Sequence, residues 1–454
     1  MRTSSKLTRA SSPSLTGEGC QSAAGSFGGG RLFLLFIFLI GLGLWAYSRW
    51  PAWFYNPPEA PYTTGPEIKQ VLLTFGDEGA DSRYVSWVCD SVVQPATLLL
   101  ASQGDTARLT AVGEVFRSRS GQAAYYRAHL TRLAPNTEYA YAVTTGSRQS
   151  PWYHFRTHAG ALPQRRSGEG ALSGEKASNE EGVPFSFLYI GDLQDTLGTR
   201  AGEILRRAVR EHPEVEFLAF GGDLTERPTD AYWTQTFSAL DSLCTALPCL
   251  VVTGNHDYLK YLKRKCERRF ALHFPYFLRG MDERGDANHL YRFTYGAADF
   301  FLLDSDRGLP YLLRQRSWLK DALAEAKAPH KIVLLHHPLY SVKRPSNNRV
   351  QRLAFNGLIQ DAGTRLVLQG HEHAYARCTA SEEPVTAPTV SGQTTYLVSH
   401  CSPKGYRIHP APRFYPVIRD TRTYQIIRVA PSAVTLHTYD ASTGLPLDSV
   451  TLKP

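Results

Sequence analysis

No Cys-x-x-Cys pair occurs in the 454 residues, which excludes a structural zinc knuckle. No internal repeat marks a solenoid or a propeller, and the 36 Gly and 28 Pro follow no fixed period, which excludes a collagen-like fibre. There is also no basic segment interleaved with aromatics. The 50 Lys and Arg are dispersed among 41 Asp and Glu, so no nucleic-acid partner is expected. The formal charge of +9 suits any anionic partner and by itself selects none. With 43% hydrophobic and 20% charged residues the chain is not disordered as a whole, and its length suits two or three domains, each with its own core.

One long apolar run is present. Residues 1–31 carry Arg2, Lys6, Arg9 and Arg31 against a single acid, Glu18, in a background of Ser, Gly and Thr, and read as a disordered basic tail. Residues 32–47 are uncharged and apolar, and Trp50, Trp53 and Tyr55 follow. Sixteen helical residues reach about 24 Å against roughly 30 Å of hydrocarbon, and interfacial aromatics extend the span. The positive side lies N-terminal, so residues 32–50 read as a signal-anchor with everything after them exported, periplasmic or extracellular. A signal peptide cleaved near residues 46–48, giving a secreted protein, is the competing reading.

Of the seven cysteines, Cys20 precedes the run and six follow it, an even number compatible with an oxidising compartment. Cys244 and Cys249 flank a short loop and are candidates to pair; a Cys378–Cys401 pair is a second candidate.

Residues 63–158 alternate short β-rich runs with turn residues, the pattern of a β-sandwich. The piece from Leu133 to Tyr139, with Pro135 and Thr137 between, resembles a fibronectin type III module. Residues 159–183 are dense in Gly, Ser and charge and read as a flexible linker. From residue 184 onward apolar strands alternate with helical stretches, which argues for an α/β domain extending to residue 454.

Five short motifs stand in that second region, most of them directly after an apolar strand: Gly191-Asp192 with Gln194, Gly222-Asp223 with Glu226, Gly254-Asn255-His256-Asp257, His336-His337-Pro338, and Gly370-His371-Glu372-His373. Strands ending at Ile190, Phe220, Val252, Leu335 and near Leu368 would bring all five loops to one sheet edge, where open α/β sheets bind ligands. Carboxylates, an amide oxygen and imidazoles form a mixed nitrogen–oxygen donor set without thiolates, suited to first-row metals. Any one of these motifs has a structural explanation, such as an Asp turn or an Asn cap. Five in this order at strand ends do not.

That order resembles the calcineurin-like metallophosphoesterases and, with the β-sandwich in front, their purple acid phosphatase branch. The resemblance covers residues 63–454 and implies an α/β metallophosphatase domain built as a two-sheet β-sandwich flanked by helices. It implies two metal ions, Fe, Mn or Zn, with Asp192 and His373 on one, Asn255, His336 and His371 on the other, and Asp223 bridging. It implies hydrolysis of phosphate esters by in-line attack of a metal-activated hydroxide, with monoesters preferred. His256 resembles the family's histidine that steadies the phosphate and assists the leaving oxygen. The His two residues before Pro selects His336 as ligand; His337, Gln194 and Glu226 are further candidates for ligation or for hydrogen bonds to ligands.

Two departures stand out. The family's phenolate Tyr, three residues after the bridging Asp, is here Glu226, so no purple charge-transfer band is expected and a divalent pair is favoured unless Glu226 supplies the missing charge. No adjacent histidines stand between Tyr340 and Leu358; Arg349 and Arg352 are candidates there for bidentate contact with a phosphate. The expected substrate is a phosphorylated small molecule or protein. A phosphodiesterase or nucleotidase using the same site, and an inert surface-binding protein, are the alternatives.

Overall fold

A computed structural model describes residues 27–76, 79–160, 182–194, 199–260, 264–276 and 289–454. The expected tail and linker lie almost wholly outside these residues. Phe27–Phe54 is one helix. Its segment Arg31–Pro51 is long and apolar enough to cross a membrane.

Residues Asn56–Pro454 form one compact unit. Its first part is a β-sandwich. Lys69–Gly76 and Gly79–Val88 pair antiparallel and continue through Gln122–Leu130 to Val112–Arg117. Facing them, Ala96–Ser102 pairs with Asp105–Thr110 and with Glu138–Thr145. Alternate residues such as Leu73, Val85, Trp87, Leu98, Tyr141 and Val143 fill the space between the two sheets. Trp87 Nε1 donates across it to Thr145 Oγ1 at 2.9 Å. The Leu133–Tyr139 piece closes on itself, with the Ala134 N–H donating to Tyr139 Oη at 2.9 Å.

The second part is a sandwich of two larger sheets. In one, Phe185–Ile190, Val215–Phe220 and Cys249–Val251 run parallel, and Thr423–Ala430 and Ala433–Asp440 join antiparallel. In the other, Ala298–Leu302, His330–Leu334, Leu366–Gln369 and Thr395–Val398 run parallel. Strand periodicity divides the side chains: Ile332, Leu334, Leu366 and Leu368 enter the central core, whereas Val333, Leu335 and Val367 pack with Leu312, Leu319, Phe355 and Ile359 of helices Leu309–Glu325 and Arg349–Asp361. The central strands of the first sheet are buried on both faces, which is why Phe185–Ile190 reads as a nearly unbroken apolar sequence, whereas Ala433–Asp440 alternates.

Two expectations change. The five motif-bearing strands do not share one sheet edge. Three belong to the first sheet and two to the second, and the loops meet because the sheets are stacked with their strand ends together. The six described cysteines are all free and buried. Cys244 Sγ lies 3.4 Å from the Val71 carbonyl oxygen and 3.1 Å from that of Asp241, while Cys249 begins a core strand and faces Leu247 O at 3.8 Å. Cys378 and Cys401 are likewise unpaired.

The two sandwiches are continuous. Lys69–Gly76 pairs parallel with Cys249–Val251, so strands of both parts form a single eleven-stranded sheet. Phe75 stacks on Phe293, centroids 4.4 Å apart, within the core of the second part.

Candidate metal centre

Each candidate donor follows a strand whose core packing fixes where the backbone turns. Four of them, Asp192, Asp223, His371 and His373, adopt positive φ (46°, 48°, 71° and 38°), a conformation unfavourable for residues with a Cβ. Glycines let these turns approach one another. A Cβ on Gly254 would stand 2.2 Å from both N and Oδ1 of Asp223, and one on Gly370 would stand 2.4 Å from Asp192 Oδ2.

The first group consists of Asp223, Asn255, His336 and His371. His336 donates through Nδ1 to Gly221 O at 2.8 Å, which leaves Nε2 facing inward, 3.3 Å from Asp223 Oδ2 and 3.2 Å from Asn255 Oδ1. His371 Nδ1 lies 2.8 Å from the same Asn255 oxygen and 3.2 Å from His336 Nε2. Ligand atoms of Asp223, His336 and His371 fall within 4.8 Å of one another. Four lone-pair-bearing atoms crowded this closely repel unless a proton or a cation stands among them.

The second group consists of Asp192, His373 and Gln194. His373 donates through Nδ1 to Lys404 O at 2.7 Å, aiming Nε2 at Asp192 Oδ1 (3.4 Å) and at the Gln194 amide (3.2 Å). Asp192 Oδ2 accepts from the His371 N–H at 2.5 Å. Asp192 Oδ1 and Gln194 Oε1 are buried with no hydrogen-bond partner. Buried anionic and amide oxygens without partners are costly in a protein interior and are suited to a cation. The donor set of both groups therefore fits divalent first-row metals.

The electrostatics agree. Burial would raise the Asp223 carboxyl, yet His336 and His256 beside it hold it well below the usual range. Burial would lower His336, but Asp223, then Asp192 and Asp306, hold it well above the usual imidazole range. The field that keeps a proton on His336 is one that attracts a metal ion, whose binding releases that proton. Burial and the neighbouring His337 and His336 keep His371 well below its usual value, neutral and able to donate a lone pair.

The other sequence candidates fall as follows. His256 donates its N–H to Asp223 Oδ1 at 2.8 Å; its Nδ1 contacts Glu226 O at 2.6 Å and its Nε2 stands 3.9 Å from Asp223 Oδ2. His337 turns toward Ser305 Oγ (3.0 Å) and Asp306 (3.6 Å), although its ring packs on His371. Glu226 pairs with Lys404. Arg352 lies over the Tyr340 ring and Arg349 is exposed; neither forms a hydrogen bond or ion pair with a donor among the described residues. Sequence reasoning missed His400 and Tyr406, which sandwich the His373 ring at 5.3 and 4.2 Å, and Lys343, whose ammonium covers Tyr406 at 3.9 Å. The available signal was the strand Thr395–Val398, which ends in Ser399-His400 beside the other strand-end loops.

A stacked two-sheet sandwich delivering a nitrogen–oxygen donor cluster from its strand ends defines a metal-centre protein. The family model for the calcineurin-like phosphoesterases matches residues 185–375, and that for the purple acid phosphatase N-terminal domain matches residues 68–157. The chain belongs to the calcineurin-like phosphoesterases, among the purple acid phosphatase-like proteins. It is 25% identical over 358 residues to purple acid phosphatase 15 of Arabidopsis thaliana, covering 69% of this chain and 64% of that one. It is 24% identical over 376 residues to an uncharacterized protein of Mycobacterium tuberculosis, covering 73% and 65%. The chain thus spans just under two thirds of the length of these relatives. The solved purple acid phosphatase PPD1 from yellow lupin seeds shares the fold, with TM-score 0.65 and 15% identity over 86% of this chain and 74% of that one.

Proposed function

We propose that the chain hydrolyses phosphate esters, monoesters ahead of diesters, at two metal ions held by Asp192, Asp223, Asn255, His336, His371 and His373. The observation that carries the reading is the convergence of these six side chains from five strand-end loops, with Asp192 Oδ1 buried, without a hydrogen bond, 3.4 Å from His373 Nε2. Bound cations would acidify the attacking water, orient the phosphoryl group and neutralise the charge that builds on its oxygens.

The protein's own contribution is positional. Main-chain oxygens of Gly221 and Lys404 fix the His336 and His373 rings so that each presents Nε2 inward. Asp223, with Oδ2 facing His336 Nε2 and Oδ1 accepting the His256 N–H, is the carboxylate that the two ions would share. His256, with Nδ1 donating to the Glu226 carbonyl, holds Nε2 beside the donor cluster, 3.9 Å from Asp223 Oδ2. As the water oxygen bonds to phosphorus and the ester P–O bond breaks, the leaving oxygen takes a proton; His256, its Nδ1–H held by the Glu226 carbonyl, supplies that proton from Nε2 when it is an imidazolium and is left as the neutral ring. Glu226 is already compensated by Lys404, which favours a divalent pair over one that needs a further anionic ligand. The monoester preference rests on the likeness to purple acid phosphatases, and the helix containing residues 31–51 supports tethering to a membrane with the catalytic part exported.

The test is turnover of a phosphomonoester and a phosphodiester reporter by the full chain in detergent, loaded in turn with Mn, Fe and Zn. Monoester hydrolysis that is abolished by chelation and by Asp223→Asn is the expected result. A faster diester rate would reassign the substrate class, and no turnover with any metal would refute the hydrolase reading.

A further inference from the structure

Beside the donor cluster lies a cleft of about 830 Å³ that no step of the proposed hydrolysis uses. Six cationic side chains line it: Arg200, Arg206, Arg207 and Arg210 from helix Thr199–Glu211, together with Lys404 and Arg422. Part of this charge is committed. Arg206 pairs with Asp241 at 3.8 Å, Arg207 donates to the Ser442 and Ala441 carbonyls, and Lys404 pairs with Glu226. Arg200, Arg210 and Arg422 have no hydrogen-bonding or ionic partner among the described residues. The acids on the wall are three, Glu203, Asp420 and Asp440, and Asp440 is engaged by the Ser442 and Thr443 N–H groups.

A solvated basic helix face would account for the exposed arginines alone, but it would not account for His400. This ring lines the same cleft, is 2% exposed, and forms no hydrogen bond through either nitrogen. An imidazole carries at least one N–H in any protonation state, so this buried ring has a donor that the described residues leave unused. Guanidinium forks and a ring N–H together match the oxygens of a phosphate, and a cleft with excess positive charge concentrates such anions.

The position of the cleft relates it to the reaction. His400 stacks on His373, with ring planes 2° apart and centroids separated by 5.3 Å, and Lys404 accepts the His373 Nδ1–H through its main-chain oxygen. The cleft therefore begins one ring away from a candidate metal ligand. We propose that it is a subsite for a second phosphate group of the substrate, so that the preferred substrates are compact molecules bearing two or more phosphates. This assignment rests on the hydrolase reading above.

Two measurements on the full chain in detergent test it. In the first, kcat/KM of the metal-loaded protein is compared on fructose 6-phosphate and fructose 1,6-bisphosphate. The bisphosphate is expected to be preferred by at least ~10-fold, one charge-assisted contact's worth, and Arg210→Gln/Arg422→Gln to bring the ratio to about one, mainly through KM. Neither arginine side chain makes a hydrogen bond or ion pair among the described residues, and melting curves check that the fold is kept. In the second, inorganic pyrophosphate is titrated calorimetrically into chelator-treated protein, where the double variant is expected to bind at least ~10-fold more weakly. A substrate ratio unchanged by the double variant, while turnover persists, overturns the subsite and leaves the hydrolase reading intact. Weakened pyrophosphate binding with an unchanged ratio assigns the cleft to a free anion and also overturns it. Absence of turnover on both sugars in the wild-type chain refutes the hydrolase reading instead.

Discussion

Replacement of Gly254 by Ala tests whether the donor cluster depends on backbones packed without a Cβ between them. Gly254 has φ −117° and ψ 174°, a conformation open to alanine, so the substitution introduces no dihedral strain. Its cost is purely steric. The new methyl would stand 2.2 Å from Asp223 N, 2.2 Å from Oδ1 and 2.8 Å from Cγ. Ordinary contact begins near 3.4 Å, so the two turns must separate by about 1 Å, and Asp223 N cannot yield independently because it follows the buried strand Val215–Phe220. Overpacking of this kind costs ~1–3 kcal/mol in stability. A displacement of about 1 Å at a catalytic group costs on the order of 100-fold in rate. Elemental analysis after dialysis, thermal melting and phosphomonoester turnover would be compared with Gly65→Ala, where nothing lies within 4 Å of the added Cβ. The expected result is a folded Gly254→Ala protein with a modestly lower Tm, depleted metal and turnover reduced at least ~100-fold, while Gly65→Ala behaves as wild type. Wild-type metal content and rate in Gly254→Ala would refute the reasoning, since the contact would then be relieved without disturbing Asp223.

Further outcomes follow from other parts of the structure. His273 is fully buried among Trp233, Phe237 and Tyr125, and burial, then Arg269 and Lys69, lower its pKa to about 3. The unfolded chain binds this proton near pH 6.5, so the folded state loses stability as pH falls from 6.5 toward 3, by on the order of 5 kcal/mol at most. Denaturant titrations at pH 7 and pH 5 should show this slope in wild type and a reduced one in His273→Phe; equal slopes would exclude His273 as the source. Burial raises the Cys244 thiol to about 12 and Cys249 well above its usual value. A thiol reagent should therefore leave the six buried cysteines unmodified in the native protein and label all six after unreduced denaturation, whereas fewer would reveal a disulfide. With Glu226 where the family's phenolate stands, protein loaded with iron should show no visible charge-transfer band; a purple colour would mean that another phenol, Tyr406 being the one stacked on His373, reaches the metal.

Much of the architecture was legible along the chain. The strands at 69–76, 185–190, 215–220 and 423–430 coincide with apolar runs because a strand buried on both faces, or on one with strict alternation, must carry that pattern. The donor candidates were legible because their residue types are few and each sits where a strand ends. Short strands such as Asp105–Thr110 were not, since an exposed edge strand needs no apolar pattern. His337 and His336 illustrate the limit within the site. Adjacent in sequence and identical in type, they differ because Gly221 O orients one ring and Ser305 and Asp306 turn the other away.

By itself, then, the sequence determined the order of elements, the membrane-length apolar helix, the family and the donor residue types, because each is encoded in local composition and spacing. Tertiary structure alone decided that the five loops come from two stacked sheets, that the front sandwich continues the larger sheet through a strand pair at Thr74 and Cys249, that the six described cysteines stay apart, that His400 and Tyr406 stack on His373, and that His400 and Lys404 share a cleft with a helix of arginines. These are relations between residues up to hundreds of positions apart, and they are set by core packing that closes only when both sheets are in place.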